Sequence, residues 1–393
     1  MTGQVLSGIG MGSTLSVGAL LATDLSGSAG WSGMAATLST LGAATAALPL
    51  ARLAVSKGRA VSLSVGAWVA TTGAILAATS AVVRSFPLLL LSLLLIGVST
   101  AVNLQARFAA TDVATPKTRA TDLSLVVWAT TVGAVSGPNL IGPGDILGGW
   151  LGLPALAGPF LFTVIAQSAA GVIYLTGLRP DPLRFAREHP TADEVGVGSN
   201  RQGTDHPHRR RLAFVALALS HATMVSVMAM TPVHLVDHGA SLVVVGFTIS
   251  LHIAGMYALS PVFGYLADRF GRIPLIIVGQ GLLSLSLFAT GLGSEVEGWV
   301  VVGLILLGLG WSSATVAASA LLTESTPLER RTQTQGLSDV IMSGSGALGG
   351  GLSGVILLMV GYSGLSFTAL ALVATVLVLA VLTESRDRTA TPA

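Results

Sequence analysis

The sequence predicts an all-α membrane protein, with twelve transmembrane helices arranged as two pseudo-symmetric six-helix bundles. Three observations lead there. Charged residues make up only 10% of the 393-residue chain while hydrophobic residues reach 52%; an average soluble protein carries roughly 25% charged residues. Apolar runs long enough to cross a bilayer, which needs roughly 20 residues per helix, recur twelve times. A charged segment of the first half also returns in the second half at a fixed offset. So few charges cannot cover a water-soluble surface, which excludes a soluble enzyme, a nucleic-acid binder and a disordered scaffold.

The spans lie between charges and Pro/Gly breaks. In the first half they are 3–25, 31–51, 60–83, 86–108, 123–143 and 156–178. The first two are rich in Gly, Ser and Thr, which suits helices packed against other helices. Residues 1–178 therefore form the N-terminal bundle. Residues 179–211 are the one long polar segment, with Pro180, Pro182, Pro190, Pro207 and the basic run Arg209, Arg210, Arg211. They read as a cytoplasmic linker, in which His206 and His208 are either part of a polar tether or a small metal catch. The second half gives 212–236, 241–263, 274–293, 299–322, 336–360 and 364–382, so residues 212–383 form the C-terminal bundle and 384–393 a tail.

With the N-terminus placed in the cytoplasm, nineteen of the twenty Lys and Arg residues fall on the cytoplasmic side, and Arg84 alone falls opposite. The positive-inside rule then puts both termini in the cytoplasm, which an even number of spans requires. The start of the chain has no basic region and no small-residue cleavage site, so the first apolar stretch is expected to stay as a helix. Cysteine is absent, which removes disulfides and thiolate metal sites from consideration.

The repeat aligns residues 51–59 with 264–272 at an offset of 213, pairing Arg59 with Arg272. Asp112, Pro116 and Arg119 find their echo in Glu324, Pro327 and Arg331 at an offset near 212. Duplicated halves of this kind are a frequent plan of secondary transporters, which bind their cargo near the midplane between the repeats. Physical reading assigns roles to the repeated residues. Gly264 lets two helix ends approach. Asp268 is placed to meet the positive end of the helix 5 dipole near Thr121. Arg272 should reach Glu324, as Arg59 should reach Asp112. Together with Arg269 and Gly271 these residues are either a latch that favours one access state or loop charges that fix topology.

The run Gly264-x-Leu266-Ala267-Asp268-Arg269-x-Gly271-Arg272 resembles the cytoplasmic signature loop of the major facilitator superfamily, over a chain that fits that family from end to end. The first-half copy is degraded, with Val55 where the pattern has Asp and Ala51 where it has Gly. The resemblance implies alternating access between two bundles. Gly133-x-x-x-Gly137-Pro138 in helix 5 is similar to a motif of proton-coupled exporters in the superfamily, and ordinary small-residue packing gives the same pattern. It therefore sets no direction of transport.

Four of the nine methionines lie between 224 and 256. Met224 and Met228 share a face of helix 7 with His221 one turn earlier, and His252 and Met256 repeat the spacing on helix 8. Thioether and imidazole ligands together suit soft ions, Cu(I) above all. The pattern resembles the CcoA-type copper importers of the superfamily, which implies that Met224, Met228, His252 and Met256 form an ion path with copper as cargo rather than cofactor. Relatives carrying organic solutes such as riboflavin share parts of this segment, and methionine at helical spacing also serves as core filler. Copper import and transport of a small organic solute, including proton-driven export, both stay open.

Asp24 and Asp339 are the acidic candidates for proton coupling, with hydration at the interface as the alternative for Asp24; His252 is a further candidate. In helix 4, Asn103 and Gln105 offer polar groups, and Arg107 either meets an anionic substrate or snorkels to the interface. No phosphate-binding glycine loop argues for ATP energisation. The spans hold no carboxylate pair or nucleophile–base set for an enzyme, and no soluble domain for a receptor. The expected partners are the bilayer of a bacterial cytoplasmic membrane and a small solute or metal ion, with no nucleic acid and a monomer sufficient.

Overall fold

The computed structural model describes residues 1–27, 31, 34–115, 117–136, 140–154, 156–188, 206–240 and 242–390. Among them the regular structure is all helical. The first half contains α1 (Thr2–Ser26), α2 (Met34–Lys57), α3 (Arg59–Val82), α4 (Phe86–Thr111), α5 (Arg119–Ser136), α6 (Ile141–Trp150), α7 (Pro159–Gly177) and α8 (Pro182–Glu188). The second contains α9 (Pro207–Asp237), α10 (Leu242–Tyr257), α11 (Ser260–Phe270), α12 (Arg272–Leu292), α13 (Glu297–Glu324) and α14 (Leu328–Ala390).

Nine helical stretches among the described residues are long and apolar enough to cross a bilayer. The last covers two of the predicted spans, because the α14 run is broken at Gly361, where φ is 71°. With α1 and α5 added, the helices follow the twelve predicted spans in order.

Four boundaries differ from the expectation. The predicted span 241–263 is two helices, α10 and α11, parted at Ala258 and Leu259, with Pro261 in the first turn of α11; proline is at home there because it has no N–H to leave unpaired. The fifth span, expected at 123–143, ends at Ser136 as α5, and a separate helix α6 follows at Ile141–Trp150. The linker is shorter than predicted at both ends. Leu183 and Ala186 of α8 are buried, and Arg209, Arg210 and Arg211 lie in the first turns of α9 rather than in a free segment. Pro116, Gly137, Pro138 and the linker's middle, including Pro190, lie outside the described residues.

The repeat is visible in the backbone. Gly58 and Gly271 stand 213 residues apart and take nearly the same conformation, φ 95° and ψ 165° against φ 102° and ψ 158°. That region is open essentially to glycine alone. Each residue ends one helix and starts the next without a spacer, which is how the short basic loop is made twice.

The chain forms two compact units. The first comprises Met1–Val113, Ala129–Thr191 and Gln335–Val340, and the second Ala114–Trp128, Ala192–Thr334 and Ile341–Ala393. Within the first unit, α3 packs on α4 and α7, α2 on α4, and α1 on α7. Small residues make the contacts close. A Cβ on Gly97 would meet the Ser39 backbone of α2, and one on Gly133 would meet the backbone of Gly8 and Ile9 in α1. Such approaches let van der Waals contact hold helices in a lipid solvent, where apolar burial drives nothing. Within the second unit, α13 is the hub. α12 packs on it through Gly279 and Gly310, α10 through Gly255 and Gly308, and α9 also lies against it. Large apolar side chains such as Trp68, Leu91, Phe247 and Leu285 are exposed; on a soluble protein they would form an aggregating surface, and lipid covers them here.

Candidate functional site

Three groups of side chains carry the chemistry. The first is ionic and lies in the first unit. Arg59, at the start of α3, donates from Nε to Asp112 Oδ2 at 2.7 Å and from Nη2 to Gln335 Oε1 at 2.6 Å. One turn further along the run that opens α14, Asp339 Oδ1 accepts from Arg107 Nη2 at 2.8 Å. These side chains are almost wholly buried: 1% exposed for Arg59 and Asp112, 2% for Arg107 and none for Asp339. Arg107 therefore neither snorkels nor stands free for an anion. Its counter-charge is protein, and the guanidinium also lies 4.7 Å from the Phe108 ring centroid. Gln105 donates to the Ala47 carbonyl at 2.7 Å, tying α4 to α2, and the Asn103 carbonyl accepts from Gln4 at 3.3 Å.

The second group is the signature loop, in the second unit. Asp268 meets the N-terminus of α5, accepting the N–H of Ala120 at 3.1 Å, the N–H of Thr121 at 2.8 Å and the Thr121 hydroxyl at 2.6 Å. A carboxylate on the free N–H groups of a first helical turn gains both hydrogen bonds and the dipole. Arg272 bridges Asp268 at 2.8 Å and Glu324 at 2.6 Å, and donates to the Ala267 carbonyl at 2.6 Å. Gly264 has Ser124 and the Ala120 carbonyl where a Cβ would stand, so the glycine is needed for α11 to reach α5. Arg269 points away, exposed, to the Tyr265 hydroxyl at 3.0 Å. The two arginine–carboxylate pairings expected from the repeat are present, and so is the Asp268 contact near Thr121.

The third group is the methionine–histidine segment. Met224, Met256 and His252 are buried and Met228 is half-buried. The two histidines are held in opposite ways. Trp311 Nε1 of α13 reaches His221 Nδ1 at 3.0 Å. An indole N–H only donates, so a neutral His221 accepts at Nδ1 and carries its proton on Nε2. Tyr257 and Trp311 meet in a T-shaped arrangement, ring centroids 5.8 Å apart. His252 Nδ1 lies 2.8 Å from the Leu304 carbonyl, which only accepts. Its proton is thus on Nδ1, and the lone pair of Nε2 is buried with no partner among the described residues.

Asp24 is paired with Arg84 at 3.4 Å, both side chains at least half exposed, which fits hydration at the interface rather than a desolvated carboxyl. His206 and His208 have ring centroids 6.0 Å apart. Sequence reasoning missed Gln335, Trp311 and Tyr257. It also missed Asp181, whose carboxylate accepts the N–H of Ala60 at 2.8 Å and caps α3. The aromatic pair had a signal, since Trp311 is a lone tryptophan in an otherwise small-residue stretch of α13. The others show only when distant segments meet.

Comparison with known proteins shows the family. The Major Facilitator Superfamily profile matches residues 212–393. The MFS-type transporter YdeG of Bacillus subtilis (strain 168) is 39% identical over 396 residues, covering 98% of this chain and 90% of that protein. The chain belongs to the major facilitator superfamily. This superfamily transporter is also 29% identical to the riboflavin transporter RfnT of Brucella anthropi, over 93% of this chain and 89% of the relative. In fold it matches the human organic anion transporter MFSD10 (TETRAN), with a TM-score of 0.72 at 15% identity over 96% of this chain and 99% of that one. It is a multi-pass membrane protein and a secondary transporter, not an enzyme.

Proposed function

We propose that the protein carries a small, ring-bearing organic solute across a bacterial cytoplasmic membrane, with both termini inside and with His221, Tyr257 and Trp311 as the recognition surface. The observation that carries this reading is the aromatic corner itself. Trp311 donates its indole N–H to His221 Nδ1 at 3.0 Å, and Tyr257 stands at a right angle to the same indole. His221 and Tyr257 are half-buried, so the corner keeps an aromatic edge for a flat ring to stack on. The riboflavin transporter among the relatives supports a solute of this kind. With its Nδ1 lone pair taken by Trp311, His221 is a poor metal ligand, which weakens a copper path running through it.

Alternating access would be governed by the contacts that join distant parts of the sequence: Asp268 on α5, and Arg59 and Arg107 on Gln335 and Asp339. The test is uptake of labelled riboflavin, with an organic dye and Cu(I) as parallel cargoes, in cells expressing wild type, Trp311→Ala or His252→Ala. Riboflavin or dye flux above the empty-vector level that is lost in Trp311→Ala supports the reading. Organic flux equal to the empty vector, or unchanged by Trp311→Ala, removes it.

A second reading has one specific observation behind it. His252 is built as metal-binding histidines are, with its Nδ1–H on a backbone carbonyl and its Nε2 lone pair without a partner among the described residues, and the buried Met256 thioether lies one turn along α10. Copper flux lost in His252→Ala would favour it, with Met224 and Met228 as further stations.

A further inference from the structure

The two repeats hold their partner helices with different chemistry. In the second repeat the acid is in the last turn of α11, as Asp268, and it caps α5. Its counterpart in the first repeat, 213 residues earlier, is Val55, which has no carboxylate to offer the helix that begins at Leu328. That helix carries the acid itself, as Asp339, whose own counterpart at the same offset is Val126 in α5. The cation is not duplicated either: at offsets of 212 and 213, Arg107 corresponds to Ser319 and Ala320. The Arg107–Asp339 pair is therefore an addition to one repeat, an ion pair that joins α4 to α14 instead of a cap on a helix end.

From this placement we infer that Asp339 is a proton-binding site, deprotonated while Arg107 holds it and protonated when the start of its helix moves away. Asp339 is fully buried. Oδ1 bonds to Arg107, and Oδ2 has no hydrogen-bond partner among the described residues. Separated from the guanidinium, a buried carboxylate is stable only as the acid. The proton adds to a carboxylate oxygen, no other bond changes, and it leaves when the pair re-forms. The segment lies on the face that carries the basic loops, so the proton is taken from water on that side.

The charged groups around Asp339 support the assignment. From α4 it faces Arg107. From α3 the next cation is Arg59, committed to Asp112 and Gln335. From α2, packed on Gly336 through Ala47 and Ala51, Arg52 and Lys57 are exposed. On its own helix Glu329, Arg330 and Arg331 lie two turns or more upstream, and His221 of α9 meets the helix about two turns downstream, at Gly346. Among the described residues Arg107 is thus the one direct ionic partner, and its departure removes the charge that keeps Asp339 ionised. The inference rests on alternating access and not on the identity of the solute.

Hydrogen–deuterium exchange of the full chain in lipid nanodiscs, with no solute added, tests it. After correction for the chemical exchange rate, peptides covering residues 328–345 are expected to exchange about threefold faster at about pH 5.5 than at about pH 8. Asp339→Asn should show the faster rate at both pH values, and Asp339→Glu should keep the pH response. Arg107→Gln, which leaves the acid without its partner, should exchange fast already at the higher pH. Equal corrected rates in the wild type overturn the inference, as does a pH response that survives in Asp339→Asn. Because no solute takes part, either result leaves the riboflavin, dye and copper comparison standing on its own.

Discussion

Asp268 caps α5 from 147 residues away: one carboxylate oxygen takes both the N–H and the hydroxyl of Thr121, at 2.8 and 2.6 Å, and the other takes the N–H of Ala120 at 3.1 Å. Helix α5 thereby has its first turn completed by the last turn of α11. A side-chain cap contributes about 1 kcal/mol, range ~0.5–2, and a charge at the N-terminus of a partly buried helix contributes up to about 2 kcal/mol more.

Asp268→Asn keeps the shape of the side chain, removes the charge that meets both the α5 dipole and Arg272, and puts an NH2 donor where one of the two accepting oxygens stood. Thermal unfolding of the purified protein is expected at a lower temperature, by the equivalent of about 1 kcal/mol, with Asp268→Ala lower still. Accessibility of a single cysteine introduced at Ser124, in a chain that has none of its own, should rise in both variants. Unchanged accessibility would mean that the contact fixes local structure and does not govern an access state.

Arg107 and Asp339 lend themselves to a double-mutant cycle. Removing one partner of a buried pair strands the other, which must stay charged without compensation or be neutralised, at a cost of up to roughly 3–5 kcal/mol. Arg107→Met alone is therefore expected to be strongly destabilised, and Arg107→Met with Asp339→Leu to recover most of the loss. The measurement is the unfolding midpoint of the two single variants and the double variant under one set of conditions. Additive losses would mean that the pairing carries no coupling.

These predictions also mark what could be read from residue order. The fold was legible, because apolar length, basic loops and a repeated motif are each local signals, and the motif's own pairings, Arg59 with Asp112 and Arg272 with Glu324, follow from its spacing. Arg107 and Asp339 were visible separately, as a basic residue near a helix end and an acid one turn into another. Their meeting was not, because they are 232 residues apart and no repeat links them. The histidine tautomers were beyond reach for a similar reason. Each depends on whether its neighbour is an indole N–H or a carbonyl, and both neighbours come from α13. The break between α10 and α11 did leave a trace in Pro261, hidden because the surrounding residues stay apolar.

Trp311→Phe tests the aromatic corner at the cost of one hydrogen bond. The ring remains for stacking, and the N–H to His221 is lost. A neutral hydrogen bond is worth about 0.5–1.5 kcal/mol, so the transported solute's apparent affinity should fall by up to about tenfold with the maximal rate preserved. A fall in maximal rate at unchanged affinity would move Trp311 from recognition to the conformational step.

Gly308 tests whether His252 is positioned by helix packing. A Cβ there would run into the His252 carbonyl, with the Met256 nitrogen close behind at 2.9 Å, so Gly308→Ala must push α10 away from α13. Overpacking of this sort costs about 1–3 kcal/mol, and it also stretches the bond between His252 Nδ1 and the Leu304 carbonyl, since Leu304 lies one turn before Gly308 on α13. With that bond gone the proton is free to sit on either ring nitrogen, and Nε2 no longer presents a fixed lone pair. Gly308→Ala is therefore expected to lower thermal stability and to impair whichever cargo depends on His252, while a cargo bound at the Trp311 corner is affected less. Flux assays of copper and of organic solute in this one variant separate the two uses of the second unit. Equal loss of both would make Gly308 a general packing residue, with no particular hold on His252.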